Sequence, residues 1–239
     1  MTDSTQAQGL AGSTLRLVRT VDGLSEQELA EPSLLPGWRR SHVVAHLALN
    51  AEGLTAAMTG LRTGNRVPIY ASDRQRDAEI DTLAAEPETE LRERLLAATT
   101  SLRQSFDALT PDLRTHSLER VPGGPVLAVE DLPKTRRREV EIHHADLNAG
   151  YSASDWPPDF CLELLDVVVL DRAVAGPFRV EATDLGRDWV VGTGEGPTVS
   201  GSAAAIGWWL TGRGSGEGLA ANDSGVLPRL GPWRRTPAR

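Results

Sequence analysis

The segment Arg138-Glu139-Val140-Glu141-Ile142-His143-His144-Ala145-Asp146 decides how the rest of the 239-residue chain is read. No Gly or Pro interrupts the chain between Lys134 and Ala149, so this stretch is predicted to be helical. Residues four apart on a helix lie one above the other, which puts Glu139 and His143 on a shared face with Asp146 beside them. Glu141 and His144, three apart, face another side of the same helix. A carboxylate and an imidazole projecting together supply two of the three protein ligands of a catalytic zinc site. The third has to come from another element, and helical bundles build metal sites in this way, from inward-facing side chains on different helices.

Upstream, residues 41–58 are predicted to form the strongest partner helix, with Val43, Val44, Leu47, Leu54 and Met58 on its buried side. His42 and His46 lie four apart on it, and spacing alone leaves both as ligands. His46 sits deeper, between Val43 and Leu47. Further helices are expected over 9–24, 72–83, 87–109 and 131–149, with a capping-box start at Ser25-Glu26-Gln27-Glu28. Residues 118–129, broken by Pro122-Gly123-Gly124-Pro125, read as a hairpin or an irregular excursion.

After Gly150 the pattern changes. Turn-rich residues 151–158 read as a linker, followed by a helix over 159–175 and short strands at 178–182, 189–192 and 198–200. A helix over 203–210 ends at Thr211-Gly212-Arg213-Gly214. The expected class is α+β: a four-helix bundle in residues 1–150 followed by a small α+β domain in residues 151–239.

Composition narrows the function. The net charge of −8 argues against a nucleic-acid or anionic-membrane partner, both of which favour a basic face. No apolar run approaches the roughly 18 residues needed to span a bilayer, and Met1-Thr2-Asp3-Ser4-Thr5 lacks the basic and apolar regions of a signal peptide. The single cysteine, Cys161, excludes an internal disulfide and points to the cytoplasm. Its apolar helical surroundings make it a core residue and not a nucleophile. The basic run Lys134-Thr135-Arg136-Arg137-Arg138 reads as a solvated helix turn. The glycine-rich stretches at 192–196 and 212–216 read as turns, and His116 receives no role.

Three separated motifs carry a resemblance to the mycothiol-dependent maleylpyruvate isomerases, a family of DinB-like metal-binding bundles. Residues 35–50, Leu-Pro-Gly-Trp-Arg-Arg-Ser-His-Val-Val-Ala-His-Leu-Ala-Leu-Asn, resemble its first signature, and residues 138–147 its second. Val199-Ser200-Gly201-Ser202 with Thr211-Gly212-Arg213-Gly214-Ser215 resembles the third. Residues 68–72 and Arg76 are similar to the family's loop between bundle helices. The resemblance implies that His46, Glu139 and His143 are zinc ligands and that Arg213, from the C-terminal domain, contributes to catalysis and to binding mycothiol. His144 matches no ligand position.

The activity so implied is cis–trans isomerisation of maleylpyruvate to fumarylpyruvate, in aromatic degradation through gentisate. A thiolate adds to the conjugated alkene, the bond rotates, and elimination restores the trans isomer. Cys161 is unsuited to that role, so a small-molecule thiol has to supply it; the resemblance implies mycothiol as that thiol and zinc as the metal, with a dicarboxylate substrate and no obligate protein partner. Two rivals remain: a mycothiol S-transferase that conjugates electrophiles, and a non-catalytic bundle that only holds a metal.

Overall fold

The computed structural model describes residues 2–223 and 225–233. The described residues divide into two compact units, the first ending at Tyr151 and the second beginning at Ser152. The first unit opens with α1 (Thr2–Gly23) and the short α2 (Glu26–Leu29), then α3 (Arg40–Thr63), α4 (Asp73–Ala84), α5 (Glu88–Asp107) and α6 (Pro111–Arg114). A hairpin of β1 (Ser117–Glu119) and β2 (Val126–Ala128) leads through a 3-10 turn into α7 (Leu132–Asp146).

Four long helices make the bundle. Helix α1 packs on α7 and α5, and α3 packs on the same two from the other side, with α4 laid against α3. Leu17, Val21, Val44, Leu47, Leu91, Leu95 and Val140 fill one half of the interior. Ala51, Leu54, Met58, Leu102, Val129 and Leu132 fill the other. Removing these side chains from water supplies the main drive for assembly. The capping box at Ser25 and Glu28 forms, with Glu28 accepting from the Ser25 amide at 2.8 Å. Helix α3 runs five residues beyond its expected end and stops at Gly64, whose φ of 78° favours a residue without a Cβ.

The loop over residues 68–70 approaches α3 closely, which brings Tyr70 against this helix. A methyl group on Gly53 would stand 2.5 Å from the Ile69 carbonyl oxygen, so only glycine lets the loop lie down there. Ile69 and Tyr70 also donate their amides to Glu119 and Arg120, tying the loop to the hairpin.

The basic run at the start of α7 departs from its sequence reading. Arg136 and Arg137 are buried, as is Thr135. Helix α7 lies between α1 and α3 and has few apolar residues, so the long arginine stems fill space that aliphatic side chains would otherwise take.

In the second unit, α8 (Pro158–Asp171) is followed by β3 (Arg172–Val174), β4 (Phe178–Ala182), β5 (Arg187–Val191), β6 (Thr198–Gly201), α9 (Ala203–Leu210), β7 (Ala220–Ala221) and β8 (Leu230–Trp233). A four-stranded sheet has the order β5-β4-β6-β7, with β4 and β6 parallel. Alternation in β4 buries Phe178, Val180 and Ala182. Helix α8 ends at Asp171, short of residue 175, because Arg172–Val174 pairs with β8 instead. Cys161 is buried in α8, as a core residue should be.

Candidate metal centre

The residues singled out on α7 and α3 meet. His46 Nε2 lies 3.2 Å from Glu139 Oε2, and His143 Nε2 lies 3.4 Å from the same oxygen. One ligand atom from each of the three falls within 4.8 Å of the others, and among the described residues this is a group able to hold a metal ion. The two imidazole rings meet edge to face at 4.7 Å. Glu139 keeps about a fifth of its side chain exposed, against 11% for His46 and 15% for His143, so the cluster opens on one side.

Local sequence explains the convergence. Glu139 and His143 are four apart on α7, and α3 presents His46 across from them. His42 shares the same helix but stands apart from the cluster, stacked on Trp38 and 3.7 Å from the exposed Asp81. Spacing left His42 and His46 open, and only His46 reaches Glu139.

His143 is oriented from behind. Its Nδ1 lies 2.8 Å from Oδ2 of Asp146, which is fully buried. The carboxylate fixes the proton on Nδ1, so in the neutral ring Nε2 presents a lone pair towards Glu139. Two acceptors facing each other at 3.4 Å repel unless a proton or a cation lies between them. His46 Nδ1 is buried with no hydrogen-bond partner among the described residues, so only its Nε2 engages a polar group. Two imidazole nitrogens, one carboxylate oxygen and a buried carboxylate behind one imidazole make a donor set and support of the kind that catalytic zinc sites use. The residues present fit the ion.

When no ion bridges these groups, a proton on His143 Nε2 takes its place, and their charges shift accordingly. Burial would raise the Glu139 carboxyl, but hydrogen bonds from His143 and His46 outweigh it and hold that group well below the usual carboxylate range. Burial pulls His143 down, yet Asp146 and Glu139 carry it above its ordinary value. Burial lowers His46, and the neighbouring His143 charge adds to that effect.

Beneath the cluster lies a layer the sequence did not single out for chemistry. Arg136, one turn before Glu139, donates from Nη1 to Asn50 Oδ1 at 2.6 Å and from Nη2 to the Leu47 carbonyl at 2.9 Å. Asn50, one turn beyond His46, donates from Nδ2 to the Tyr70 hydroxyl at 3.0 Å. The i, i+4 spacing from His46 was the available signal for Asn50. Burial lowers Arg136 to about 10, and burial, followed by the nearby Glu139 charge, raises Tyr70.

The second pair on α7 does different work. Glu141 accepts from Ser13 Oγ at 2.5 Å, Arg16 Nη2 at 2.5 Å and Tyr151 OH at 2.5 Å. His144 stacks on Tyr151 at 3.8 Å and meets Thr20 Oγ1 at 2.8 Å. Arg213 belongs to the second unit, just past α9. Its Nη1 donates to the Thr211 carbonyl at 3.2 Å, and its guanidinium carbon lies 5.7 Å from the centre of the Trp208 ring.

Residues 10–148 match the family described as the mycothiol maleylpyruvate isomerase N-terminal domain, and residues 155–232 match the corresponding C-terminal domain. Two crystal structures of a mycothiol-dependent maleylpyruvate isomerase, one of them a histidine-to-alanine mutant, superpose with a TM-score of 0.86. The mutant is 26% identical in sequence and the other 25%, and each comparison covers 96% of both chains. No significant match was found among curated proteins. The chain belongs to the mycothiol maleylpyruvate isomerase family.

Proposed function

We propose that the chain catalyses the zinc- and mycothiol-dependent cis–trans isomerisation of maleylpyruvate to fumarylpyruvate. One observation carries this reading beyond family membership: His46, Glu139 and His143 bring two imidazole nitrogens and a carboxylate oxygen within 4.8 Å of one another, open on one side. These three residues would hold the zinc ion. When bound, zinc and mycothiol together supply a thiolate at neutral pH, a nucleophile able to add reversibly to a conjugated double bond.

The chain's own residues prepare the site. Glu139 stays ionised and brings a negative charge to the ligand set. Asp146 fixes the tautomer of His143, so that Nε2 and not Nδ1 faces inward. Cys161 is buried in the second unit and has no place in this chemistry, which favours a borrowed thiol. Arg213 is assigned to a carboxylate of the substrate or of mycothiol, a role suited to a guanidinium fork and supported by the third sequence signature. The cytoplasm suits a lone reduced cysteine. Among the described residues, no helix is long and apolar enough to cross a membrane.

Assay of the zinc-loaded protein on maleylpyruvate, with and without mycothiol, tests the proposal. Release of the trans isomer only when the thiol is present supports it. A stable thioether product would assign the site to S-transfer instead. Bound zinc with no thiol-dependent turnover would leave a metal-holding protein.

A further inference from the structure

The hydrogen bonds beneath the metal cluster all run one way. A guanidinium has no acceptor, so Arg136 Nη1 must donate to Asn50, which fixes the amide with Oδ1 towards Arg136. The amide nitrogen of Asn50 is then committed to donating to Tyr70. Tyr70 oxygen is the acceptor in that bond, so its own O–H proton points elsewhere. No described residue accepts that proton. The chain therefore runs from a buried cation, through an amide, to a phenol with a proton to give.

The cation at its head is unusual. Arg136 is 1% exposed, and no carboxylate among the described residues lies within ion-pair distance of it. Buried charges are ordinarily paired, because taking a charge out of water is costly. Here the charge polarises Asn50, and each hydrogen bond in such a chain strengthens the next. At the other end, Arg120 and Arg76 set their guanidinium carbons 5.3 and 5.9 Å from the centre of the Tyr70 ring. Both are paired with carboxylates, Arg120 with Asp73 and Arg76 with Asp77, so they pack the ring in place more than they charge its surroundings. The chain ends beside the metal cluster, since Asn50 is one turn from His46, Arg136 is one turn from Glu139, and the Glu139 charge is felt at Tyr70.

We propose that Tyr70 is a further catalytic residue, whose hydroxyl, polarised by Arg136 through Asn50, donates a hydrogen bond to the carbonyl oxygen conjugated with the reacting double bond. This rests on the isomerase reading given above. When the alkene carbon accepts a sulfur electron pair, a C–S bond forms and the π pair shifts so that negative charge develops on the conjugated oxygen. After rotation about the resulting single bond, that pair returns to remake the double bond, and the sulfur departs with the pair it brought. Tyr70 keeps its proton throughout. Its bond to the oxygen is strongest while the charge is present, which is the condition for lowering the barrier. Asn50 and Arg136 are positioning residues.

The test compares three zinc-loaded, full-length proteins in the mycothiol-dependent assay: wild type, Tyr70→Phe and Asn50→Asp. Tyr70→Phe deletes one oxygen and should cost about 10²- to 10³-fold in kcat with KM nearly unchanged. Asn50→Asp keeps the shape and the Arg136 contact but supplies only acceptors, so Tyr70 turns its proton inward. It should lose kcat to a similar extent, although a buried ion pair has been gained. Both variants should keep the wild-type zinc content and stay folded at the assay temperature, although Tyr70→Phe leaves the buried Asn50 amide without its acceptor and should melt somewhat lower. Full kcat in Tyr70→Phe, or a loss that follows zinc content or folded fraction, overturns the assignment and leaves a structural tyrosine. An inactive wild type would instead remove the isomerase reading, and this proposal with it.

Discussion

The two sides of α7 carry the same kinds of residue and do opposite things with them. One side holds Glu139 and His143, the other Glu141 and His144. Glu141 is buried and receives donors from Ser13, Arg16 and Tyr151, so its oxygens are occupied by protein hydrogen bonds. Glu139 is partly exposed and receives two imidazoles on a single oxygen, one of them aimed by Asp146. The Glu141 side is a closed polar network that fastens α7 to α1. The Glu139 side is a set of lone pairs that a cation would complete. Residue type and helical spacing are shared, and what separates a clasp from a candidate metal centre is whether the surrounding helices satisfy the carboxylate.

The comparison breaks most sharply under His46→Ala. Stoichiometric zinc and thiol-dependent turnover should disappear together, as read by elemental analysis and product assay. Full turnover with zinc retained would sink the ligand assignment. Glu141→Ala should do the reverse, leaving one equivalent of zinc while lowering stability by about 2 kcal/mol, because buried donors lose their acceptor. That figure is held low because Arg16 is 39% exposed and screened by solvent. Urea unfolding of the zinc-free protein measures it, and an unchanged midpoint would mean that the clasp contributes nothing.

Asp146→Asn isolates the orientation of His143. Zinc affinity should fall roughly 10- to 100-fold, as for other residues that aim a metal-bound histidine. Competition with a chromophoric chelator gives the ratio, and wild-type affinity would show that Asp146 plays no such part. The smallest effect is on pH dependence. His143 is raised above its ordinary 6.5, so its contribution to the metal-free protein is present below about 6.5 and lost as pH rises through the folded value. His46 is lowered, so its contribution is lost as pH falls below about 6.5. Metal-free stability should show a shallow maximum near that pH, and zinc should remove the decline on the alkaline side. A thermal-melt series across pH 5 to 8, at roughly half-unit steps around the histidine value, would reveal it. A metal-free profile that climbs steadily above 6.5 would contradict the role of His143.

Much of the architecture was legible because its signals are local. The four-residue spacing of Glu139 and His143, the capping box at Ser25, strand 178–182 and helix 203–210 each rest on neighbours in sequence. Strands β3 and β8 were missed because they pair across more than fifty residues, and Leu230-Gly231-Pro232-Trp233 carries no strand-like alternation. The burial of Arg136 was hidden for a related reason. A run of arginines reads as solvated until α1 and α3 close over it, and then the guanidinium finds Asn50 and a main-chain carbonyl. His46 and His42 were indistinguishable by spacing, and the neighbours of each ring separate them. Tyr70 lay in a loop flagged only by its resemblance to the family, since the contact that gives it a role comes from a different element.

On this reading the Glu139 side of α7, and not the Glu141 side, would hold a zinc ion that takes up an external thiol. X-ray absorption at the zinc edge on the purified protein, before and after adding mycothiol, tests this most directly. The expected first shell contains nitrogen and oxygen only, with one sulfur appearing at about 2.3 Å once the thiol is added. A first shell that is unchanged by mycothiol would contradict it.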